Sequence, residues 1–375
     1  MRVAFALLLA AAAVAASSAS AAPKLQLGIT DSGDAYFADP QTFYPRLGEL
    51  HAQLLRVHLN WGGRLGVAQR RPENGFDPAD PAYDWSRYDR IVLRADEQGV
   101  RIVFSIFGSP RWANGGQLPT RAPRHASDLQ DFAFAAAERY AGDYVRDDGV
   151  TLPAVRRWTA WNEPNLPIGL VPQWKRVGGH WVIRSAVDYA RICNAIVDGI
   201  HSTLLRGEQV ACGDTSPRGN NAPTSSRPTT SPIAFLRAMK KAGATGFDAY
   251  AHHPYALNPN ETPTTRPRAR TAVSFANIDD MIKVVTQLYG RKPIWIDEYG
   301  YQTNPPDHML GVTLAAQARY LTASVRIARA NPRITMLLWF LLCDESRLGG
   351  WQSGLETASG VRKPSFFAFA RAAAR

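Results

Sequence analysis

The chain has 375 residues, 45% apolar and 20% charged, with 43 Lys and Arg against 32 Asp and Glu for a formal net charge of +11. That length and apolar fraction exclude a disordered or fibrous chain and allow either two domains or one α/β barrel. The Arg residues are scattered rather than gathered in a Lys/Arg block, so the charge reads as a basic surface and not as a nucleic-acid or membrane site; an acidic polymer is the secondary option.

In chain order, Met1 and Arg2 precede an unbroken apolar run, Val3 to Ala16. Small residues follow from Ser17 to Ala22, and Ala19-Ser20-Ala21 fits an A-x-A cleavage pattern. The apolar run is shorter than the roughly 20 residues a bilayer crossing needs. Residues 1–22 are therefore expected to be a signal peptide, with an uncleaved anchor as the alternative. Residues 23–375 would then be one secreted or periplasmic domain, monomeric, without membrane association after cleavage.

Strand candidates follow at Leu25–Thr30, Leu54–Trp61, Arg101–Phe107, Val155–Asn162, Gln209–Asp214, Phe247–His253, Pro293–Glu298 and Ile334–Leu341. Helical patterns separate them at Tyr88–Gln98, Leu129–Tyr140, Val187–Leu204, Pro232–Ala242, Ile278–Tyr289 and Leu314–Ala330, and Phe366–Ala374 closes the chain. Strands alternating with helices predict a parallel α/β architecture, and eight strands favour a single (β/α)8 TIM barrel over an open sheet. The open dinucleotide-binding sheet needs G-x-G-x-x-G after its first strand, and Gly28-Ile-Thr-Asp-Ser-Gly33 does not match.

In the second strand, Leu55, Val57 and Leu59 alternate with Arg56, His58 and Asn60. One set should face the helices and the other the barrel lumen, where polar groups must be paired or functional. Two Pro/Ser/Thr-rich stretches, Ser216–Ser231 and Leu257–Thr271, follow strands and should wall a groove at the C-terminal mouth, unless they are mobile surface loops. Cys193, Cys212 and Cys343 form no C-x-x-C. At most one disulfide can form, and all three are expected as buried small hydrophobes.

Two glutamates stand where aromatic strands give way to turns, in Trp161-Asn162-Glu163-Pro164-Asn165 and in Trp295-Ile296-Asp297-Glu298-Tyr299-Gly300. They are 135 positions apart, close to the roughly 132 expected for three barrel units of about 44 residues. That spacing puts them across one mouth, at the ends of the fourth and seventh strands. Paired carboxylates in an aromatic cleft suit glycoside hydrolysis, one as proton donor and the other as nucleophile.

These two segments, in this order and at this spacing, resemble glycoside hydrolase clan A. The likeness spans essentially all of residues 23–375, and Tyr83–Asp89 and Lys363–Phe369 also look like segments of family 39 and family 5 members. The resemblance implies a retaining glycosidase cleaving O-glycosidic, β-type bonds of a polysaccharide or oligosaccharide, with Glu163 as acid/base and Glu298 as nucleophile. It further implies Arg56 beneath the nucleophile, Asn162 on the sugar 2-hydroxyl, His253 and Tyr255 as the clan's His-x-Tyr pair, and Trp339 as the floor under the sugar. Arg56 as a structural ion-pair partner, His253 as a satisfied core histidine and Trp339 as ordinary packing remain the alternatives. His58, Asn60, Trp61 and Trp112 could line neighbouring sugar sites or simply pack. Asp297, next to the nucleophile, should point to the helix layer by strand alternation.

A carbohydrate-binding barrel without catalysis is the competing function. A metal-dependent hydrolase is disfavoured, because the first strand lacks histidine and His252-His253 is a poor chelate. No metal or cofactor is expected. Sugar identity and exo or endo action depend on loop shape.

Overall fold

The computed structural model describes residues 25–203 and 205–374. The expected signal peptide, residues 1–22, lies outside the described residues. Ten strands are described: β1 Gln26–Thr30, β2 Leu54–Asn60, β3 Arg101–Phe107, β4 Arg157–Ala160, β5 Trp174–Val177, β6 His180–Ile183, β7 Gln209–Thr215, β8 Ala249–His252, β9 Ile294–Tyr299 and β10 Ile334–Phe340. All but β5 and β6 close into a parallel barrel in the order β1-β2-β3-β4-β7-β8-β9-β10. The expected eight-stranded barrel is thus the observed fold.

Amphipathic helices cover the barrel. In Ile278–Tyr289, the buried Ile278, Met281, Ile282, Val284 and Val285 recur at helical spacing on one face. Pro occupies the first turn of the helices Pro232–Lys241 and Pro364–Ala373, where its missing N–H is not needed. Thr313 caps Leu314–Ala330 by accepting from Ala316 N. No helix among the described residues is long and apolar enough to cross a membrane.

Three features differ from the sequence expectation. Two helices, Ser32–Phe37 and Pro40–Glu49, fill the first crossover, and Gly33, Pro40 and Pro45 break the periodicity that would have announced them. An antiparallel β5–β6 hairpin interrupts the fourth crossover, turning at Gly178-Gly179, both at positive φ. That Gly-Gly pair is a hairpin signal in its own right. Cys193 and Cys212 are disulfide-bonded, joining the helix Arg184–His201 to β7, and Cys343 alone is free. Cys193 and Cys212 are fully buried as expected, and helix packing on the strand brings their Cα atoms to 6.0 Å, within disulfide reach, whereas Cys343 is only half-buried, contrary to the expectation for all three.

The lumen is layered. Leu54, Val103, Ala211, Ala249, Ala251, Trp295, Met336 and Leu338 form an apolar plug, with alanines of β7 and β8 making room for the Trp295 indole. Leu55, Val57 and Leu59 instead join the larger core beneath the helices. Above the plug the lumen turns ionic, and there the site is built.

Candidate active site

Arg56, one strand pleat above Leu54, is fully buried and anchors the ionic layer. Its Nη1 donates to Glu298 Oε2 at 3.2 Å, and its Nη2 donates to Asn162 Oδ1 at 2.9 Å, Asp214 Oδ2 at 3.0 Å and Ser105 Oγ at 3.3 Å. Its Nε lies 3.0 Å from Asp297 Oδ2. Burial opposes the guanidinium charge, but Asp214, Asp297 and Glu298 more than offset it, so Arg56 stays charged.

Two irregularities aim extra carboxylates into this layer. Between β9 and β10 the register shifts: Leu337 pairs with Ile296, but Trp339 pairs with Tyr299. The extra residue is a β-bulge at Asp297-Glu298. Asp297 continues the lumen face of Trp295 and meets Arg56 and His253 instead of the helix layer, and the bulge lets Glu298, its neighbour, face inward as well. A second register shift between β7 and β8 lies at Asp214, whose φ is +48°. Burial pushes the Asp214 carboxyl up to about 7. Asp297 is also buried, yet Arg56 and His253 pull it down to about 2.

The fourth strand ends in a strained turn. Trp161 and Glu163 have φ of +72° and +41°, a conformation costing about 1–3 kcal/mol per residue that clusters at functional sites. Three contacts hold it. Glu163 N donates to Asp214 O at 2.9 Å, the Trp161 indole donates to Gly169 O at 2.8 Å, and Ser105 Oγ donates to Trp161 O at 2.7 Å. Gly169 must be glycine, since a Cβ there would run into the carbonyl oxygens of Asn162 and Glu163. Asn165 is fully buried and clamps the 216–231 loop, with Nδ2 facing the carbonyls of Ser216, Arg218 and Thr230 and Oδ1 accepting from Ser216 N.

Glu163 and Glu298 thus meet across the mouth. One carboxylate oxygen of each, with a His253 ring nitrogen, lies within 4.8 Å of the others. Tyr255 donates to Glu298 Oε1 at 2.9 Å. His253 Nδ1 is 3.2 Å from Glu163 Oε1, and its Nε2 is 2.6 Å from Asp214 Oδ1. Burial disfavours a charged imidazole, but Glu298, Asp214 and Asp297 outweigh it and lift the His253 pKa well above the ordinary value. Both ring nitrogens then carry protons and donate, one to Asp214 and one to Glu163. Burial raises the Glu298 carboxyl, and Glu163 adds to this; His253, Arg56 and the Tyr255 hydroxyl offset part of it.

Two sets of donors have chelating proximity, Glu163/His253/Glu298 and Asp214/His253/Asp297. Arg56 contacts a carboxylate of each, and its charge opposes a divalent cation there.

Arg56, Asn162, Glu163, His253, Tyr255 and Glu298 converge as the sequence places them. Trp339 does not. Lumen-facing positions on β10 are Met336, Leu338 and Phe340, so Trp339 points outward, 2% exposed, donating its indole N–H to Ser353 O at 2.8 Å. The aromatic wall comes instead from Phe340 and from Trp351 in the following loop, which lie 5.3 Å apart and lie 6.2 and 5.4 Å from Tyr255. His58 lines the cleft and is neutral, with burial and Arg56 lowering its pKa to about 3. Asn60 bonds the hydroxyls of Tyr36 and Tyr88, Trp61 is core, and Trp112 donates to Ala68 O. Sequence reasoning missed Asp214 and Trp351. The one signal for Asp214 was its position beside Gly213 at a strand's C-terminal end, where barrel sites gather.

No protein-family model and no curated protein matches the chain. Solved structures do. A family 39 glycoside hydrolase from the gut symbiont Bacteroides cellulosilyticus WH2 aligns at TM-score 0.61 and 17% identity, over 94% of this chain and 64% of that one. A glucosidase from Croceicoccus marinus aligns at 0.68 and 12%, over 94% and 67%. A fungal β-1,4-galactanase aligns at 0.57 and 15%, over 92% and 99%. The chain therefore spans about two thirds of the length of the first two and nearly all of the third. At these identities the likeness is one of fold, and this chain has the barrel architecture of those glycoside hydrolases.

Proposed function

We propose that this chain is a retaining glycoside hydrolase acting on β-linked O-glycosides, with Glu298 as nucleophile and Glu163 as acid/base. The observation that carries the reading is the approach of Glu163 and Glu298 oxygens to within 4.8 Å. Retaining enzymes hold their carboxyl groups roughly 5–5.5 Å apart, and inverting ones leave room for a water at about 6.5–9.5 Å. Glu298 attacks the anomeric carbon while Glu163 gives its proton to the departing oxygen. Esterification removes the Glu298 charge, and the Glu163 carboxylate then takes a proton from the water that attacks the anomeric carbon, which breaks the bond to Glu298 and frees its carboxylate.

The surroundings fit these roles. Arg56 and Tyr255 each hold one oxygen of Glu298, fixing its in-line orientation. Asn162, held by Arg56 and lining the cleft, is placed for the sugar hydroxyl next to the anomeric carbon. His253 Nδ1 reaches one oxygen of Glu163, which leaves the other for the departing oxygen. Preceded by a leader-like segment at 1–22 and carrying a Cys193–Cys212 disulfide, the domain fits an oxidising, extracytoplasmic compartment. A non-catalytic sugar-binding barrel would not need a fully assembled pair with its supporting network.

The test is turnover of a panel of aryl β-glycosides, with product configuration read by proton NMR. Glu298→Gln is expected to lose at least ~10⁴-fold in kcat, the scale of removing a nucleophile from a working constellation. Near-wild-type turnover in that variant sinks the enzyme reading as assigned, and an inverted product sinks retention alone.

A further inference from the structure

A second cavity of about 890 Å³ opens beside the catalytic cleft of about 340 Å³. The two share Leu166, Ile168, Arg218 and Leu257. From there the larger trough runs over Val171 and Trp174, walled by the loop that Asn165 clamps. Its position relative to the two carboxylates is informative. Glu163 and Glu298 both line only the cleft, but Leu166 and Ile168, which line the trough as well, follow Glu163 in the turn after β4, whereas Gly300, which follows Glu298, lines the cleft alone. The proton donor stands on the side of the departing oxygen, so the trough is where the leaving group would lie.

We propose that this trough is a leaving-group subsite for an apolar alcohol, of alkyl or aryl type, and not for a second sugar. This rests on the glycosidase reading above. The walls are mainly aliphatic and prolyl, with a single indole, Trp174, and with two guanidinium groups, Arg218 and Arg227, among the polar members. Sugars are recognised by planar rings together with free donors and acceptors; here Arg218, Ser226 and Arg227 are free but exposed, and the polar groups set deeper in the wall are engaged. The Trp174 N–H donates to Thr229 O at 3.3 Å, Gln173 Nε2 donates to Pro164 O and Leu170 O, and Asn220 Nδ2 donates to Arg227 O. What the trough offers a ligand is removal of apolar surface from water.

Octyl and methyl glycosides of one sugar separate the cases, because the two alcohols depart with nearly equal difficulty and differ only in chain. Each methylene taken out of water is worth roughly fourfold, so burying about four of them raises kcat/KM for the octyl glycoside ~100-fold or more over the methyl glycoside. Trp174→Ala should lower that ratio at least ~5-fold, a change that a general loss of folded enzyme cannot produce. Independently of turnover, octan-1-ol should bind the wild-type protein in calorimetry, and Trp174→Ala should bind it at least ~5-fold more weakly. An octyl-to-methyl ratio near one, or preference for a disaccharide, overturns the proposal while leaving the glycosidase intact. If no glycoside is turned over, the glycosidase reading fails, and absence of octan-1-ol binding would then overturn the apolar site as well.

Discussion

Replacing Asp214 by Asn tests whether the buried network sets the protonation of the acid/base. Asp214 Oδ1 is 2.6 Å from His253 Nε2, and both side chains are fully buried. At an effective dielectric of about 20, a charge pair of this kind is worth about 4 kcal/mol, a factor of about 10³ in proton affinity. Asp297 and Glu298 remain to support the imidazolium, so the expected fall in the His253 pKa is smaller, at least about one pH unit. The sign is fixed by which species is lost. Imidazolium donates from Nδ1 to Glu163, whereas neutral imidazole with its proton on Nε2 accepts there and ties up the acid's own proton. Lowering the His253 pKa therefore moves the alkaline limb of kcat/KM to lower pH. Burial has already pushed Asp214 itself up to about 7. Below that pH Asn replaces a neutral acid, so the variant should stay close to wild type near pH 5 and diverge above pH 7. At pH 9 a phenyl glycoside, whose leaving group needs protonation, should lose ~10²-fold, within the range for general acid catalysis. A 2,4-dinitrophenyl glycoside, whose leaving group does not, should lose less than ~5-fold. An unmoved alkaline limb, or equal losses on the two substrates, would refute the reasoning.

Two further outcomes follow from single contacts. Tyr255→Phe deletes the 2.9 Å donor to Glu298; hydrogen bonds to charged groups are worth about 1.5–3 kcal/mol, so kcat should drop ~10–100-fold, and a loss under twofold in steady-state assays would remove Tyr255 from nucleophile positioning. The Cys193–Cys212 bond closes a loop with a separation of 19, and the paired Cys193→Ser, Cys212→Ser variant should lose about 3 kcal/mol in urea unfolding with kcat unchanged; equal stability would contradict the chain-constraint argument.

The fold was legible because eight strand-like segments alternate with helical ones along the chain, with the second strand showing period-two alternation and Pro164 marking the exit from the fourth. Glu163 and Glu298 were legible because they sit at strand ends three barrel units apart, whereas Arg56, Asn162, His253 and Tyr255 were legible through the resemblance to the clan. What failed did so locally. The expectation of an outward Asp297 fails because a bulge sets two neighbouring carboxylates on one side of β9, which no composition rule announces. Asp214 was passed over for the same reason on β7. Trp339 was assigned by likeness against its own alternation, which puts Phe340 in the lumen. Trp351 lies in a loop, where no period constrains a side chain.

The two bulges have a common chemical consequence. In a regular β7 Asp214 would follow Cys212 to the helix side, and in a regular β9 Asp297 would share the lumen face with Trp295 while Glu298 pointed outward. The bulge on β7 therefore gives Arg56 a further carboxylate, and the bulge on β9 brings the nucleophile to it without a bidentate clamp. As built, Nη2 is taken by Asp214 and Asn162, Nε faces Asp297, and only Nη1 reaches Glu298, at 3.2 Å. The arginine keeps Glu298 in the field of a buried cation while leaving its other oxygen to Tyr255. Buried ions are costly unless every charge is matched, and the irregular strand ends are what allow the match to be made away from the reacting oxygen.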